Sequence, residues 1–148
     1  VGANWPAEAT RAESPSLVQI CHGAPGIVAA FADCPSSTAE LERLLCRGAE
    51  LVWHAGPLVK GSNVCHGTAG NGYAFLKLHK RTGDGLWLDR ARAFAATAIA
   101  QCRGARRRYG QGRYSLWTGD LGLACYVWDC ITGEPRFPTV ARPSPATD

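Results

Sequence analysis

The sequence of 148 residues contains no methionine, so no initiator residue is present and we expect the chain to be a piece of a longer one. No apolar run approaches the ~20 residues needed to span a bilayer, and the first residues carry no secretory signal pattern. No stretch alternates apolar and polar residues strongly enough to predict a sheet. These absences predict a soluble protein without a transmembrane segment, whose length suits one helical domain.

A nucleic-acid motif is also lacking. The net charge is a modest +4, and much of it lies in one run, "RGARRRYGQGR" at 103–113. Such a run can meet phosphate or an acidic partner, but no aromatic platform accompanies this one. We therefore expect a solvated loop joining two helices, and we predict no nucleic-acid partner.

Cysteine, by contrast, is abundant. Seven residues is a high count for this length, but the number is odd and the spacing is not that of a small disulfide-stapled domain. Five of the seven stand in or beside apolar stretches, where a free cysteine behaves as a small hydrophobe. These five are Cys34, Cys46, Cys102, Cys125 and Cys130. This usage fits a reducing compartment, so we predict a cytoplasmic protein.

Composition and helical periodicity divide the chain into three parts. Residues 1–16 are rich in Pro, Ala and Ser without usable periodicity, which predicts a connecting segment. Residues 17–140 form the predicted helical domain, and residues 141–148 form a C-terminal tail.

Local signals mark the ends of several helices. Ser37 with Glu40 predicts a capping box at the start of one helix, and Gly56–Pro57 predicts its end. Gly83 closes the next helix, and Asp84 is placed to cap the one that follows.

The helical patterns repeat. Helices that are apolar on nearly all sides alternate with amphipathic ones, and each apolar helix begins at a Gly-x-x-Gly: Gly23–Gly26, Gly67–Gly70 and Gly119–Gly122. Repeated hairpins of this kind predict an array or ring, in which inner helices are sheathed by outer ones. A ring would place the N-terminus of every inner helix on one rim. The predicted fold class is therefore all-α.

The first two copies carry a Cys-His pair directly before their glycines, Cys21-His22 and Cys65-His66. Repeat symmetry should bring both pairs to the same rim. Thiolate and imidazole are preferred ligands of Zn²⁺, and a helix N-terminus helps to hold thiolate charge. The doubled pair predicts a metal site. The alternative is that both cysteines are core thiols and both histidines bond to backbone at a helix start.

The third copy has no such pair. Asp120 lies inside its Gly-x-x-Gly, where it could face the same rim or cap the helix start. His54 and His79 lie within helices next to apolar residues, so we expect packing or surface roles for them.

At these motifs the chain resembles the lanthionine synthetase C family, which comprises the LanC cyclases and the LanC-like proteins. The matching segments lie in order within about residues 15–140: "CHGAPG", "CHGTAGNGYAFLKL", "RTGDGLWLDRARAFA", "YSLWTGDLG" and "RFP". The resemblance implies an α/α toroid of helical hairpins with one zinc ion, ligated by Cys21, Cys65 and His66. It implies His22 beside the metal, as a candidate for proton transfer or substrate orientation. The family's ring needs more residues than this chain has, so we expect the N-terminal half of the toroid to be missing.

The resemblance also implies a reaction. A zinc-activated thiol adds to dehydroalanine or dehydrobutyrine and leaves a thioether, so the expected partners are a dehydrated peptide or a glutathione-like thiol. Two alternatives stay open. One is a non-catalytic module that holds zinc and a thiol such as glutathione without turnover. The other is a sugar-acting helical ring, which needs a pair of carboxylates, and Asp120 has no evident mate among the motifs.

Overall fold

The computed structural model describes residues 2–6 and 17–138. These residues form no β-strand and five α-helices: α1 (Ala24–Phe31), α2 (Ala39–Ala55), α3 (Thr68–Thr82), α4 (Gly85–Tyr109) and α5 (Asp120–Thr132). The all-α prediction is confirmed. Of the predicted connecting segment only residues 2–6 are described, and the predicted tail, 141–148, lies outside the described residues. None of these five helices combines the length and the apolar character that crossing a bilayer demands.

Helix α3 lies at the centre of the packing. It contacts α1, α2, α4 and α5, while α2 packs on α1 and α5 packs on α4. Every residue from Thr68 to Leu78 is consequently buried. We call α1, α3 and α5 the inner helices and α2 and α4 the outer helices; their alternation along the chain is the one that the repeat predicts.

An aromatic cluster joins α3 to the outer helices. Phe75 of α3 contacts Trp87 and Phe94 of α4, and its ring also meets Trp53 of α2 edge-on. The Arg90 guanidinium lies over the rings of Trp53 and Trp87, 5.0 and 4.8 Å from their centroids. Aromatic rings bury large apolar areas and cation–π contacts add to them, so this cluster holds both outer helices against α3.

The start of α2 differs from the predicted capping box at Ser37. Thr38 is the N-cap, and its Oγ1 accepts a hydrogen bond from Leu41 N at 3.2 Å. The Ser37 hydroxyl instead donates to Glu42 Oε1 at 2.9 Å. Arg81 fixes that carboxylate with hydrogen bonds of 2.7 and 2.8 Å, so Ser37 has an acceptor outside the cap position. The cap therefore moves by one residue.

The other predicted helix ends are confirmed. Gly56 follows the last residue of α2, and Gly83 ends α3 in the left-handed conformation. Asp84 caps α4, since its Oδ1 accepts from Leu86 N at 2.9 Å.

The prediction of a loop over the basic run was wrong for residues 103–109. Helix α4 continues through these residues to Tyr109 and ends at Gly110 in the left-handed conformation. Ala and Arg are strong helix formers, and the three arginines of the last turn favour the negative end of the helix dipole. The loop is confined to the residues between Gly110 and the start of α5.

The segment that contains "RFP" folds back onto the inner helices. Asp129 Oδ2 accepts hydrogen bonds from the Tyr73 hydroxyl at 3.1 Å and from Arg136 N at 2.8 Å. The Phe137 ring meets Tyr73 at 4.8 Å and Trp117 at 5.8 Å between centroids. These contacts tie the residues after α5 to α3 and to the loop that precedes α5.

Candidate functional site

The loop before each inner helix follows a repeated course. The N-cap residues of α1, α3 and α5 are Gly23, Gly67 and Gly119. A β-carbon on any of them would overlap the carbonyl oxygen six residues earlier in the chain; these carbonyls belong to Leu17, Gly61 and Arg113. We name residues 17–23, 61–67 and 113–119 the first, second and third pre-helix loops.

The second glycine of each copy makes an equivalent contact. A β-carbon on Gly26, Gly70 or Gly122 would overlap another carbonyl oxygen six residues earlier; these belong to Ile20, Val64 and Leu116. The Gly-x-x-Gly motif is thus explained by two close contacts between the first helical turn and the loop before it. The prediction that each inner helix begins at this motif is confirmed.

The cysteines occupy the same place in the first and second loops, two residues before the N-cap glycine. Cys21 is exposed and Cys65 is half-buried. Partial burial raises the pKa of the Cys21 thiol, and the charge of the neighbouring Cys65 thiol and its hydrogen bond raise that pKa further. Cys65 N also donates to Trp117 O at 2.9 Å, which links the second loop to the third. The structure therefore brings together two of the three predicted ligands.

In the first loop, a buried glutamine holds Cys21. Gln19 Nε2 donates to Cys21 Sγ at 3.2 Å, and Lys60 Nζ donates to Gln19 Oε1 at 2.9 Å. The backbones of Gln19 and His22 exchange hydrogen bonds of 3.1 and 2.9 Å, so Cys21 lies inside a tight turn.

The predicted third ligand is His66, and the predicted proton-transfer residue is His22. His66 is half-buried, and its backbone N donates to Asn63 Oδ1 at 3.0 Å; His22 is exposed beside Cys21. Within residues 2–6 and 17–138, no group of three or more His, Cys, Asp and Glu side chains is arranged to hold a metal ion. His66 therefore does not complete a set with the two thiols, and its ligand role stays a prediction.

The two thiols nevertheless fit zinc in their chemistry. Each is a soft sulfur ligand that precedes the N-terminus of an inner helix, where free backbone N–H groups favour thiolate charge. They also line one cavity of about 1320 Å³. The same cavity is lined by Trp117 and Phe137, and by five charged residues: Asp33, Lys77, Lys80, Glu134 and Arg136.

The charged wall of this cavity is mostly paired. Lys77, whose side chain is 7% exposed, contacts the carboxylate of Asp33. Lys80 Nζ lies 3.0 Å from Glu134 Oε2. The thiols thus share their cavity with groups of both signs, which suits a polar ligand that carries carboxylate or ammonium groups.

Asp120 lies apart from the thiols. Its Oδ2 accepts hydrogen bonds from Arg106 Nε at 3.0 Å and from Arg113 N at 3.3 Å, and it lines a separate cavity with Cys102. The predicted cap role is wrong, because Gly119 is the N-cap and α5 has no side-chain cap. Asp120 instead pins the third pre-helix loop to α4.

The two remaining histidines lie at helix ends, away from the cysteines. His54 is exposed in the last turn of α2, with Nε2 3.8 Å from Glu50 Oε2. His79 Nδ1 lies 2.9 Å from Asp84 O. These positions agree with the packing or surface roles expected from the sequence.

Two residues of the site were missed in the sequence. Gln19 stands four positions before its N-cap glycine, the place that Asn63 takes in the second loop, so aligning the copies could have found it. Lys60 gave no such signal, since it reaches Gln19 across 41 residues of chain.

Comparison with known proteins agrees with the motifs. A family model described as Lanthionine synthetase C-like protein matches residues 2–141. The chain is 33% identical over 132 residues to LanC-like protein GCL1 of Arabidopsis thaliana, which covers 82% of this chain and 30% of that protein. It is 35% identical over 127 residues to Glutathione S-transferase LANCL1 of Danio rerio. That match covers 82% of this chain and 31% of that protein. The chain spans less than a third of the length of either relative. Because the family model matches nearly the whole sequence, the chain belongs to the lanthionine synthetase C-like family.

Proposed function

We propose that this chain contributes the zinc-binding part of a protein that adds a thiol to dehydroalanine or dehydrobutyrine and so forms a thioether. The observation that carries the proposal is that Cys21 and Cys65, from two repeats, meet at one cavity. Cys21, Cys65 and His66 would hold the zinc. When bound, zinc would favour the thiolate form of a substrate thiol at neutral pH.

The chain's own residues would divide the remaining work. The pre-helix loops place the two thiols, and the N-termini of α1 and α3 favour their negative charge. As the substrate sulfur forms its bond to the β-carbon, the electrons of the carbon–carbon double bond move to an enolate, whose α-carbon must then take up a proton. His22, exposed beside Cys21, would supply or orient the acid for that step.

The proposed substrates are a dehydrated peptide as acceptor and a peptide cysteine or a glutathione-like thiol as donor. The name of the Danio rerio relative, Glutathione S-transferase LANCL1, supports the second donor. The cavity is compatible with it as well, because Arg136 lines it beside the ion-paired Lys77 and Lys80, so a carboxylate of such a thiol would meet a cationic side chain there.

A cytoplasmic location belongs to the same proposal. All seven cysteines are free, although several of them are accessible. Free thiols persist in a reducing compartment, and the proposed chemistry needs them reduced.

A second candidate function is a module that binds zinc and a glutathione-like thiol without turnover. The observation that favours it is the exposure of His22, whose described hydrogen bonds are made by its backbone to Gln19. A proton donor whose side chain is not held in a fixed orientation by its neighbours would contribute little to a reaction.

Metal content tests the site that both candidates share. We expect the purified chain to carry one zinc ion by elemental mass spectrometry, and Cys21→Ala, Cys65→Ala and His66→Ala each to lose it. Cys125→Ala is the matched control, because this thiol is exposed on α5 and should leave the zinc in place. A folded wild type without zinc would refute both candidates.

Product formation separates the two candidates. The chain, alone and with the N-terminal part of a full-length relative, is incubated with glutathione and a dehydroalanine peptide, and the thioether adduct is sought by mass spectrometry. The enzyme proposal predicts adduct with wild type, and a strongly reduced rate with His22→Ala at unchanged zinc content. Bound zinc and glutathione without adduct under both conditions would select the binding module.

A further inference from the structure

Gln19 is buried, 7% exposed, and its side chain lies between a cysteine and a lysine. Its amide nitrogen donates to Cys21 Sγ at 3.2 Å, and its amide oxygen accepts from Lys60 Nζ at 2.9 Å. A buried polar group whose nitrogen and oxygen both have hydrogen-bond partners fixes its neighbours as well as itself.

Lys60 decides which way the amide points. An ammonium group is a donor only, so the partner of Lys60 must be the amide oxygen. The amide N–H₂ then necessarily faces the other side, where Cys21 lies. The orientation of Gln19 therefore rests on the chemistry of the lysine, and the sulfur receives a donor.

The backbone reinforces this arrangement. Gln19 and His22 exchange two backbone hydrogen bonds around Cys21, so the donor and its sulfur belong to one closed turn. Sulfur accepts hydrogen bonds, so this fixed N–H donor holds Cys21 Sγ in one orientation.

We propose that Gln19 is a positioning residue for Cys21, locked in its orientation by Lys60, and that this pair tunes the metal affinity and the ligand field of the site. The inference rests on the proposed function, because it takes Cys21 to be a metal ligand. Partners of this kind orient a ligand and adjust its donor strength, and their loss typically costs about 10–100-fold in metal affinity.

Three variants dissect the pair. Gln19→Glu keeps the size and an acceptor for Lys60 but places a carboxylate oxygen where the N–H donor was. Lys60→Met leaves Gln19 in place but removes the lock on its amide, and Lys60→Arg restores a donor. Gln111→Glu makes the same charge change at an exposed loop residue and serves as the matched control.

The readouts are zinc affinity by chelator competition and the sulfur-to-cobalt charge-transfer bands of the cobalt(II)-loaded chain, with circular dichroism to confirm folding. We expect Gln19→Glu to lose about 10–100-fold in affinity and to shift the bands. Lys60→Met should show a smaller loss, which Lys60→Arg recovers, and Gln111→Glu should match wild type.

The outcomes separate the two proposals. Wild type that binds neither zinc nor cobalt overturns the metal site itself, and with it this inference. Wild type that binds both metals, with a folded Gln19→Glu of unchanged affinity and unchanged bands, overturns the role of Gln19 alone. Loss of affinity with unchanged bands in every variant would assign the pair to general stability of the loop and would also overturn the inference.

Discussion

The second and third pre-helix loops share a backbone course but differ in chemistry. Cys65 stands two residues before the N-cap glycine of the second loop, and Trp117 stands at that place in the third. Both loops press a glycine against the carbonyl oxygen six residues earlier, and the Cys65 N–H donates to Trp117 O. The repeat therefore fixes where a side chain is presented and leaves open which side chain it is.

That separation has a physical basis. The close contacts that all copies share join a glycine to a carbonyl oxygen, so what the copies have in common constrains backbone atoms. The position of Cys65 and Trp117 lies between these contacts and points its side chain toward the cavity, which both residues line. Two loops supply thiols and the third supplies an aromatic wall. The number of thiols at the cavity is thus set by single residues and not by the fold.

Breaking the shared backbone should have the largest effect. A β-carbon at Gly70 would overlap the Val64 carbonyl oxygen, and it would meet the Ile20 side chain at 3.0 Å. Neither the carbonyl nor the buried first turns of α3 can move freely, so we expect Gly70→Ala to lower the free energy of unfolding by about 3 kcal/mol or more. Urea denaturation measures the loss.

The control is Gly104→Ala, inside α4, where a β-carbon would have no neighbour within 4 Å. Alanine is the better helix former, so this variant should gain about 0.5–1 kcal/mol. If Gly70→Ala lost no more than a few tenths of a kcal/mol, the close contact would not be what the motif maintains.

The glycines also show what the sequence could and could not provide. The Gly-x-x-Gly copies and the doubled Cys-His pair are local patterns, and they predicted the starts of three inner helices and the approach of Cys21 to Cys65. The orientation of Gln19 depends on its contact with Lys60, which is 41 residues away in the sequence. A local sequence pattern therefore cannot predict it. The cap at Thr38 depends likewise on Arg81, which draws Glu42 and hence Ser37 away.

The basic run marks a different limit. Gly and Arg were expected to form a loop, yet helical propensity carries α4 through the arginines to Tyr109. A single glycine, Gly104, did not end the helix, because its place in the interior costs only about 1 kcal/mol against alanine. Polar composition alone does not distinguish a loop from a solvated helix end.

A smaller loss of stability should follow from removing the polar side chain four residues before the N-cap glycine, and this loss should differ between the second and third loops. Asn63 is 5% exposed and its Oδ1 accepts from His66 N, whereas Ser115, at the same place in the third loop, is exposed and contacts the Thr118 hydroxyl at 3.0 Å. Asn63→Ala leaves a backbone donor without its partner, so it should cost about 1–2 kcal/mol. Ser115→Ala should cost less than about 0.5 kcal/mol. Thermal and urea unfolding measure both costs. If the two variants lost the same stability, the burial of Asn63 would not make its hydrogen bond worth more than that of Ser115.

The smallest expected effect is a pH dependence confined to the third loop. Burial acts to raise the pKa of Asp120, but hydrogen bonds from Arg106, Cys102 and the backbone of Arg113 outweigh it and hold the pKa below its usual value of 3.8. A carboxyl whose pKa is lowered by folding stabilises the fold above its unfolded pKa, and the stabilisation is lost as the pH falls through the folded value.

Asp120→Asn should therefore cost about 1 kcal/mol at neutral pH, a small value because Arg106 is half exposed. The cost should shrink once the pH falls below the usual value of 3.8. Thr68, the first residue of α3, takes the equivalent place directly after the second loop and bonds to Leu58 through its hydroxyl, which does not titrate in this range. In parallel urea titrations, Thr68→Val should therefore cost the same stability at every pH. If the cost of Asp120→Asn were equally constant, its carboxylate charge would contribute nothing to the stability of the third loop.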